Sequence, residues 1–212
     1  MRSCFASSQL IAIIDYDTGN LRSVQNMLRS IGVNSVIAGT AREVEAASKI
    51  ILPGVGHFAF GMKKLVQRDL VGVLNEKVIE QQTPILGICL GLQLLTRGSE
   101  EGDAEGLGWV AADTRRFDIS QLTSELRIPH MGWADTEFRS DHPLFAGVSA
   151  APRYYYVHSY HIVCDNEINE LCHAVHGYRF ASGVAQGNIT GVQFHPEKSH
   201  RFGRQLLQNF IS

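Results

Sequence analysis

Long apolar runs are missing from this sequence: no stretch approaches the ~20 residues that a membrane-spanning helix needs. A charge bias is missing too. The 19 Lys and Arg stand against 21 Asp and Glu, the formal net charge is -2, and no basic run stands out. Neither nucleic acid nor a membrane is therefore expected as a partner. The four cysteines (Cys4, Cys89, Cys164 and Cys172) form no CxxC pair and no zinc-finger spacing, so they read as reduced thiols of a cytoplasmic protein. His173 and His176 have HxxH spacing but no further ligand group nearby, and no metal is expected there. The opening "MRSCFASSQL" has one Arg and no apolar h-region, which argues against a signal peptide. Residues 1–8 are expected to form an irregular extension. With no repeat, low-complexity tract or linker in sight, residues 1–212 read as one domain.

What is present is an alternating pattern. With 44% hydrophobic and 19% charged residues, the chain can fill a core. "LIAIIDY" (10–16) is a continuous apolar run of the kind that a strand buried on both faces shows. "NLRSVQNMLRSIG" follows with Leu21, Val24, Leu28 and Ile31 at helical spacing and Gly32 as a stop. "SVIAG", "TAREVEAAS" and "KIILPG" continue as strand, helix and strand, and "GMKKLVQRDLVGVLNEKVIEQQ" is helical in period. "PILGIC" is a further buried strand, with "LGLQLLTRG" as the helix behind it. From about residue 107 to 194 short β-like runs ("LGWVAA", "TRRFD", "YYYVHSYHIV", "ELCHAVH", "RFASGVAQ", "ITGVQF") predict antiparallel additions before a closing amphipathic helix, "KSHRFGRQLLQNFIS". The fold class is α/β: a mostly parallel sheet between helix layers.

Three segments carry chemistry. In "GICLG", Cys89 lies between Gly87 and Gly91 where a strand gives way to a helix, the cysteine counterpart of the Gly-x-Ser-x-Gly nucleophile elbow. A helix N-terminus favours the thiolate, and the N–H of Leu90 is free to meet an oxyanion. The bland alternative is a buried structural cysteine. In "GVQFHPEKS", His195 ends an apolar strand and Glu197 follows two positions on, where an extended chain places both on one side. A base with an orienting carboxylate is what a thiol nucleophile requires. In "LPGVGHF", Gly54, Val55 and Gly56 follow a third strand and can present a backbone N–H to an oxyanion, or form a plain turn.

Together "IIDYDTGNLRSV", "LPGVGHF", "GICLGLQ", "IPHMGW", "YYYVHSYH" and "FHPEKS" resemble, in order, the class I (triad) glutamine amidotransferases, and within them the glutaminase subunits of imidazole glycerol phosphate synthase. The resemblance implies a three-layer fold and hydrolysis of L-glutamine to glutamate and ammonia through a glutamyl thioester on Cys89. His195 would be base and acid, and Glu197 its partner. Leu90 and the Gly54–Val55–Gly56 segment would meet the oxyanion, and Gln93, His158, Ser159 and Tyr160 would hold substrate. No cofactor is implied. The ammonia would pass to a (β/α)8 cyclase in a heterodimer, with Trp133 and Lys198 at the interface; the product would be imidazole glycerol phosphate and aminoimidazole carboxamide ribotide. No synthase domain follows "HPE" in this sequence, which fits a separate partner. Ala134 stands where the family commonly has Asn. That departure, with "EEGDAEGLGW" and "KSHRFG", is compatible with a paralogue feeding a sugar amidotransferase of surface-polysaccharide synthesis. A cysteine peptidase or redox chaperone of similar fold would not be expected to carry "HPE" and the glutamine-holding strand.

Overall fold

The computed structural model describes residues 10–139, 141–148 and 151–212, so the expected extension at 1–8 lies outside the described residues. Strand β1 (Ile11–Ile14) is buried along its length and runs parallel between β2 (Ser35–Ala38) and β3 (Lys49–Gly54). Its side chains alternate between two cores. Ala12 and Ile14 join one cluster with Val44, Leu65 and Leu74; Ile11 and Ile13 join the other with Val24, Leu28, Leu206 and Leu207. That division explains why "IAII" shows no polar alternation: both faces are covered.

On one face lie α2 (Ala41–Glu45), α3 (Phe58–Gln67) and α4 (Val71–Asn75), which passes into a π turn at Glu76–Glu80. On the other lie α1 (Leu21–Ser30) and α6 (His200–Ile211). Local signals set the helix starts: the Asn20 side chain accepts from Ser23 N, and Thr40 with Glu43 forms a capping box. The sheet continues through β4 (Ile85–Cys89), which pairs in parallel with β3 and with β14 (Ile189–Val192). Helix α5 (Leu90–Leu94) leaves β4 at once.

The remaining strands are β5 (Gly98–Ser99), β6 (Ala104–Glu105), β7 (Ala112–Arg116), β8 (His130–Asp135), β9 (Glu137–Phe138), β10 (Arg153–His158), β11 (Tyr160–Cys164), β12 (Glu170–His176) and β13 (Tyr178–Gln186). The main sheet runs β2-β1-β3-β4-β14-β13-β11-β7-β5-β6, with β12 on β13 and β9 on β12. Beyond β14 the pairings of β13, β11 and β7 are antiparallel, as the short runs predict.

Two expectations are corrected. "YYYVHSYHIV" is not one strand: β10 pairs with β8 in a separate two-stranded sheet, and β11 rejoins the main sheet, the change falling at Ser159. "LGWVAA" is strand only from Ala112. Before it, Trp109 is held by a hydrogen bond from its Nε1 to Asn75 Oδ1 (2.7 Å).

Candidate active site

Cys89 ends β4 at φ 54° and ψ -110°, a left-handed conformation that a residue with a β-carbon rarely adopts. The turn's strain therefore sits on the cysteine. Its glycine neighbours serve close approach instead. A β-carbon on Gly91 would fall on the Leu52 carbonyl oxygen, and one on Gly87 would lie 2.8 Å from the Leu92 backbone. Their absence lets α5 settle onto β3 and β4. The elbow read from "GICLG" is present, with Cys89 6% exposed at its tip.

His195 is held from three directions. Its backbone N donates to Tyr155 O (2.9 Å), its carbonyl accepts from Ser199 Oγ (2.6 Å), and Nδ1 meets Glu197 Oε1 at 2.7 Å. Ser199 Oγ also accepts from Tyr155 N (3.0 Å), so β10 clamps the turn. The sequence places His195 and Glu197 together correctly, but by a different geometry. Pro196–Lys198 is a 3₁₀ turn rather than an extended stretch. Among the described residues Nε2 has no hydrogen-bond partner, and Cys89 lies beside the ring. Burial alone would lower the imidazole's pKa from 6.5; the Cys89 thiol and the Glu197 carboxylate outweigh it and raise the value to about 10. The pair favours an imidazolium.

Gly54 is the β3 partner of Cys89 in the sheet register, so the 54–56 segment borders the sulfur. There is no room for a side chain at Gly54: a β-carbon would collide with the Tyr16 hydroxyl and crowd Leu90. Gly56 has φ +107° and open space around it. Val55 between them is exposed. The segment is tied down beyond Gly56, where Phe58 N donates to Glu101 Oε2 (2.7 Å).

A cleft of about 330 Å³ opens over this centre and is bordered by Val55, Gly56, Cys89, Leu90, Gln93, His158, Ser159 and Tyr160. All eight are among the residues singled out in the sequence. Glu101, Pro129 and Val157 also border it and were not. Gln93 is buried, and its Nε2 donates inward to Tyr160 O (3.2 Å) and to Gln193 Oε1 (3.1 Å). His158 likewise turns its ring inward. Nδ1 donates to Tyr160 O (2.7 Å), leaving Nε2 to accept from His130 Nδ1 (3.1 Å). A larger, shallower cavity of about 570 Å³ lies along β5–β7, but its Arg97 is already paired with Asp113 and with Asp165, and neither a cysteine nor a histidine lines it.

Trp133 and Lys198 meet around one ring. Lys198 Nζ sits 5.5 Å over Tyr155, and Trp133 packs edge-on against Tyr155 and stacks on His200. With the exposed Met131 they form an outward patch on β8 and β10. Ala134 points the other way, against the core. Among the described residues no group of three His, Cys, Asp or Glu side chains is placed to hold a metal ion: His173 contacts Glu137 and His176 contacts the Arg127 carbonyl.

A strained cysteine elbow, a sealed His–Glu pair and a three-layer sheet define a class I glutamine amidotransferase. The sequence family described as Glutamine amidotransferase class-I matches residues 12–212, and the chain belongs to it. Within it, the chain is 45% identical over 202 residues to imidazole glycerol phosphate synthase subunit HisH 2 of Methanococcus maripaludis, covering 95% of this chain and 98% of that one. It is 46% identical to the HisH subunit of Sulfurimonas denitrificans, covering 95% and 97%. A solved structure of PurLQS from Thermotoga maritima shares the fold, with a TM-score of 0.74 and 19% identity over 96% of this chain and 98% of that one.

Proposed function

We propose that this chain is the glutaminase subunit of an imidazole glycerol phosphate synthase, hydrolysing L-glutamine and handing ammonia to a cyclase partner. The observation that carries the chemistry is Cys89, strained out of the turn into the cleft with the buried His195–Glu197 pair facing it. Cys89 Sγ, as thiolate, attacks the side-chain amide carbon of glutamine. The resulting oxyanion is met by Leu90 N–H and a backbone N–H of the Gly54–Val55–Gly56 segment. His195 gives its proton to the departing nitrogen, ammonia leaves, and a glutamyl thioester remains on Cys89. His195 then takes a proton from water, whose oxygen attacks the thioester carbon and releases glutamate. Glu197 holds the imidazolium throughout. No metal or organic cofactor takes part.

Gln93, Ser159, Tyr160 and the backbone of His158 form the wall against which the amino-acid end of the substrate rests. Glu101 is the carboxylate on the rim of the same cleft and suits the substrate's α-ammonium. The Trp133–Tyr155–Lys198 patch is the docking face for the partner, a (β/α)8 cyclase in a heterodimer. The curated relatives are named as subunits, which supports a two-chain enzyme.

Adding the histidine-pathway cyclase to this chain should raise glutamate release from glutamine well above that of either chain alone. Activation by a sugar amidotransferase, with none by the cyclase, would overturn the assignment of partner.

A further inference from the structure

Gln193 is fully buried and plays no part in the chemistry above. Its Nε2 lies 3.7 Å from Cys89 Sγ, a normal length for an N–H···S contact given the large radius of sulfur. We propose that Gln193 is a positioning residue for the nucleophile: its carboxamide donates to the Cys89 sulfur in an orientation fixed, through Gln93, by the Tyr160 carbonyl on the substrate side of the cleft. The inference rests on Cys89 being the nucleophile.

The orientation follows from donors and acceptors alone. A backbone carbonyl only accepts, so the Gln93 terminus 3.2 Å from Tyr160 O must be its nitrogen. That same nitrogen faces Gln193 at 3.1 Å, so the Gln193 terminus there must be its oxygen. Its other terminus, facing Cys89, is then the NH₂. A carboxamide's two ends are otherwise interchangeable; here a main-chain group decides both. Tyr160 O is itself saturated, taking the second bond from His158 Nδ1. Gln193 is also pinned through its main chain, where N donates to Ser182 O (2.8 Å).

The consequence concerns the charge on sulfur. Besides Gln193, the hydrogen-bonding neighbour of Sγ is Val157 O at 4.0 Å, an acceptor that suits the neutral thiol. Gln193 offers a donor, which strengthens when the sulfur carries negative charge. Gln193 thus opposes Val157 and favours negative charge on the sulfur over none. The donor and the base come from one segment two residues apart. Because the chain Cys89–Gln193–Gln93–Tyr160 ends at the substrate wall, displacement of Tyr160 reaches the sulfur.

The test uses the complex with its synthase partner and three variants. Gln193→Met keeps the volume and removes the donor. Gln193→Glu keeps the acceptor for Gln93 and sets a carboxylate against the sulfur. Gln93→Met leaves Gln193 in place but releases its orientation. The rate of alkylation of Cys89 by iodoacetamide is followed against pH, read on the Cys89 peptide so that Cys4, Cys164 and Cys172 do not contribute to the signal. Q193M should shift the half-maximal pH up by roughly 1 unit and lower kcat about 10- to 100-fold with KM within about twofold, as the loss of one hydrogen bond to a charged atom dictates. Q193E should shift it further, and Q93M less. Wild-type alkylation profiles and kcat in folded Q193M or Q193E would overturn the inference. If Q193M does not fold, Q93M and Q193E carry the same comparison. Glutaminase activity surviving in Cys89→Ala would instead overturn the nucleophile assignment itself.

Discussion

His195 Nδ1 and Glu197 Oε1 stand 2.7 Å apart with side chains only 2% and 3% exposed. Water cannot substitute for a carboxylate sealed in this way. Glu197→Gln keeps the shape and removes the charge that holds the ring as imidazolium. It should lower kcat by roughly 10²- to 10⁴-fold, with glutamine KM nearly unchanged, in steady-state assays of the complex.

The same pair carries a pH-dependent share of stability. The folded-state pKa of His195 is raised from 6.5 to about 10, because Cys89 and Glu197 outweigh burial. A raised value means that the stabilisation is complete below 6.5 and is lost as pH climbs toward 10. Urea titrations of wild type and His195→Gln should therefore differ most at the lower end of that window and converge at its upper end. A gap that widens with pH would contradict the ion pair.

Gly54 and Tyr16 are fitted to one another. The Tyr16 hydroxyl is buried with no hydrogen-bond partner among the described residues, and it occupies the space a β-carbon at Gly54 would take. Gly54→Ala should cost about 1–3 kcal/mol and most of the activity, as overpacking does. Adding Tyr16→Phe removes the colliding atom and should recover part of the stability. No recovery in the double variant, measured by thermal melting, would show that the crowding at Leu90 dominates instead.

A histidine cluster behind the cleft makes the fold sensitive to acid. His130, His158 and His161 surround Phe117, and all three are buried. Burial holds each below 6.5, with His130 down at about 4, and the mutual repulsion of His130 with His176 adds to it. These rings stay neutral when folded and take up protons on unfolding. Their contribution is present above pH 6.5 and drains away as pH falls toward 4. The urea midpoint should drop steeply through that window, and His130→Phe should flatten the slope. A midpoint that holds constant would contradict it.

The Cys89 elbow and the His195–Glu197 pair are each legible in the sequence because their signals are local. Glycines flank Cys89, and Pro196 separates His195 from Glu197. The parallel half of the sheet is legible for the same reason, since "IAII" and "ILGIC" are short apolar runs bounded by turns. Gln193 and Glu101 carry no such signal. Gln193 reaches Cys89 across 104 positions and Glu101 reaches Phe58 across 43, so only the assembled sheet brings them in. A polar residue between the apolar Val192 and Phe194 is the one hint that Gln193 gives. The break at Ser159 is hidden because β10 and β11 are both mostly apolar and run on without a turn residue such as Gly or Pro; their different partners, β8 and β7, separate them.

The account stands on Cys89. The most direct measurement is glutamate release from glutamine by the Cys89→Ala variant in complex with the cyclase, beside wild type. The account predicts loss of turnover to background while the complex still forms and the cyclase still uses added ammonia. Turnover at the wild-type rate in Cys89→Ala would contradict it.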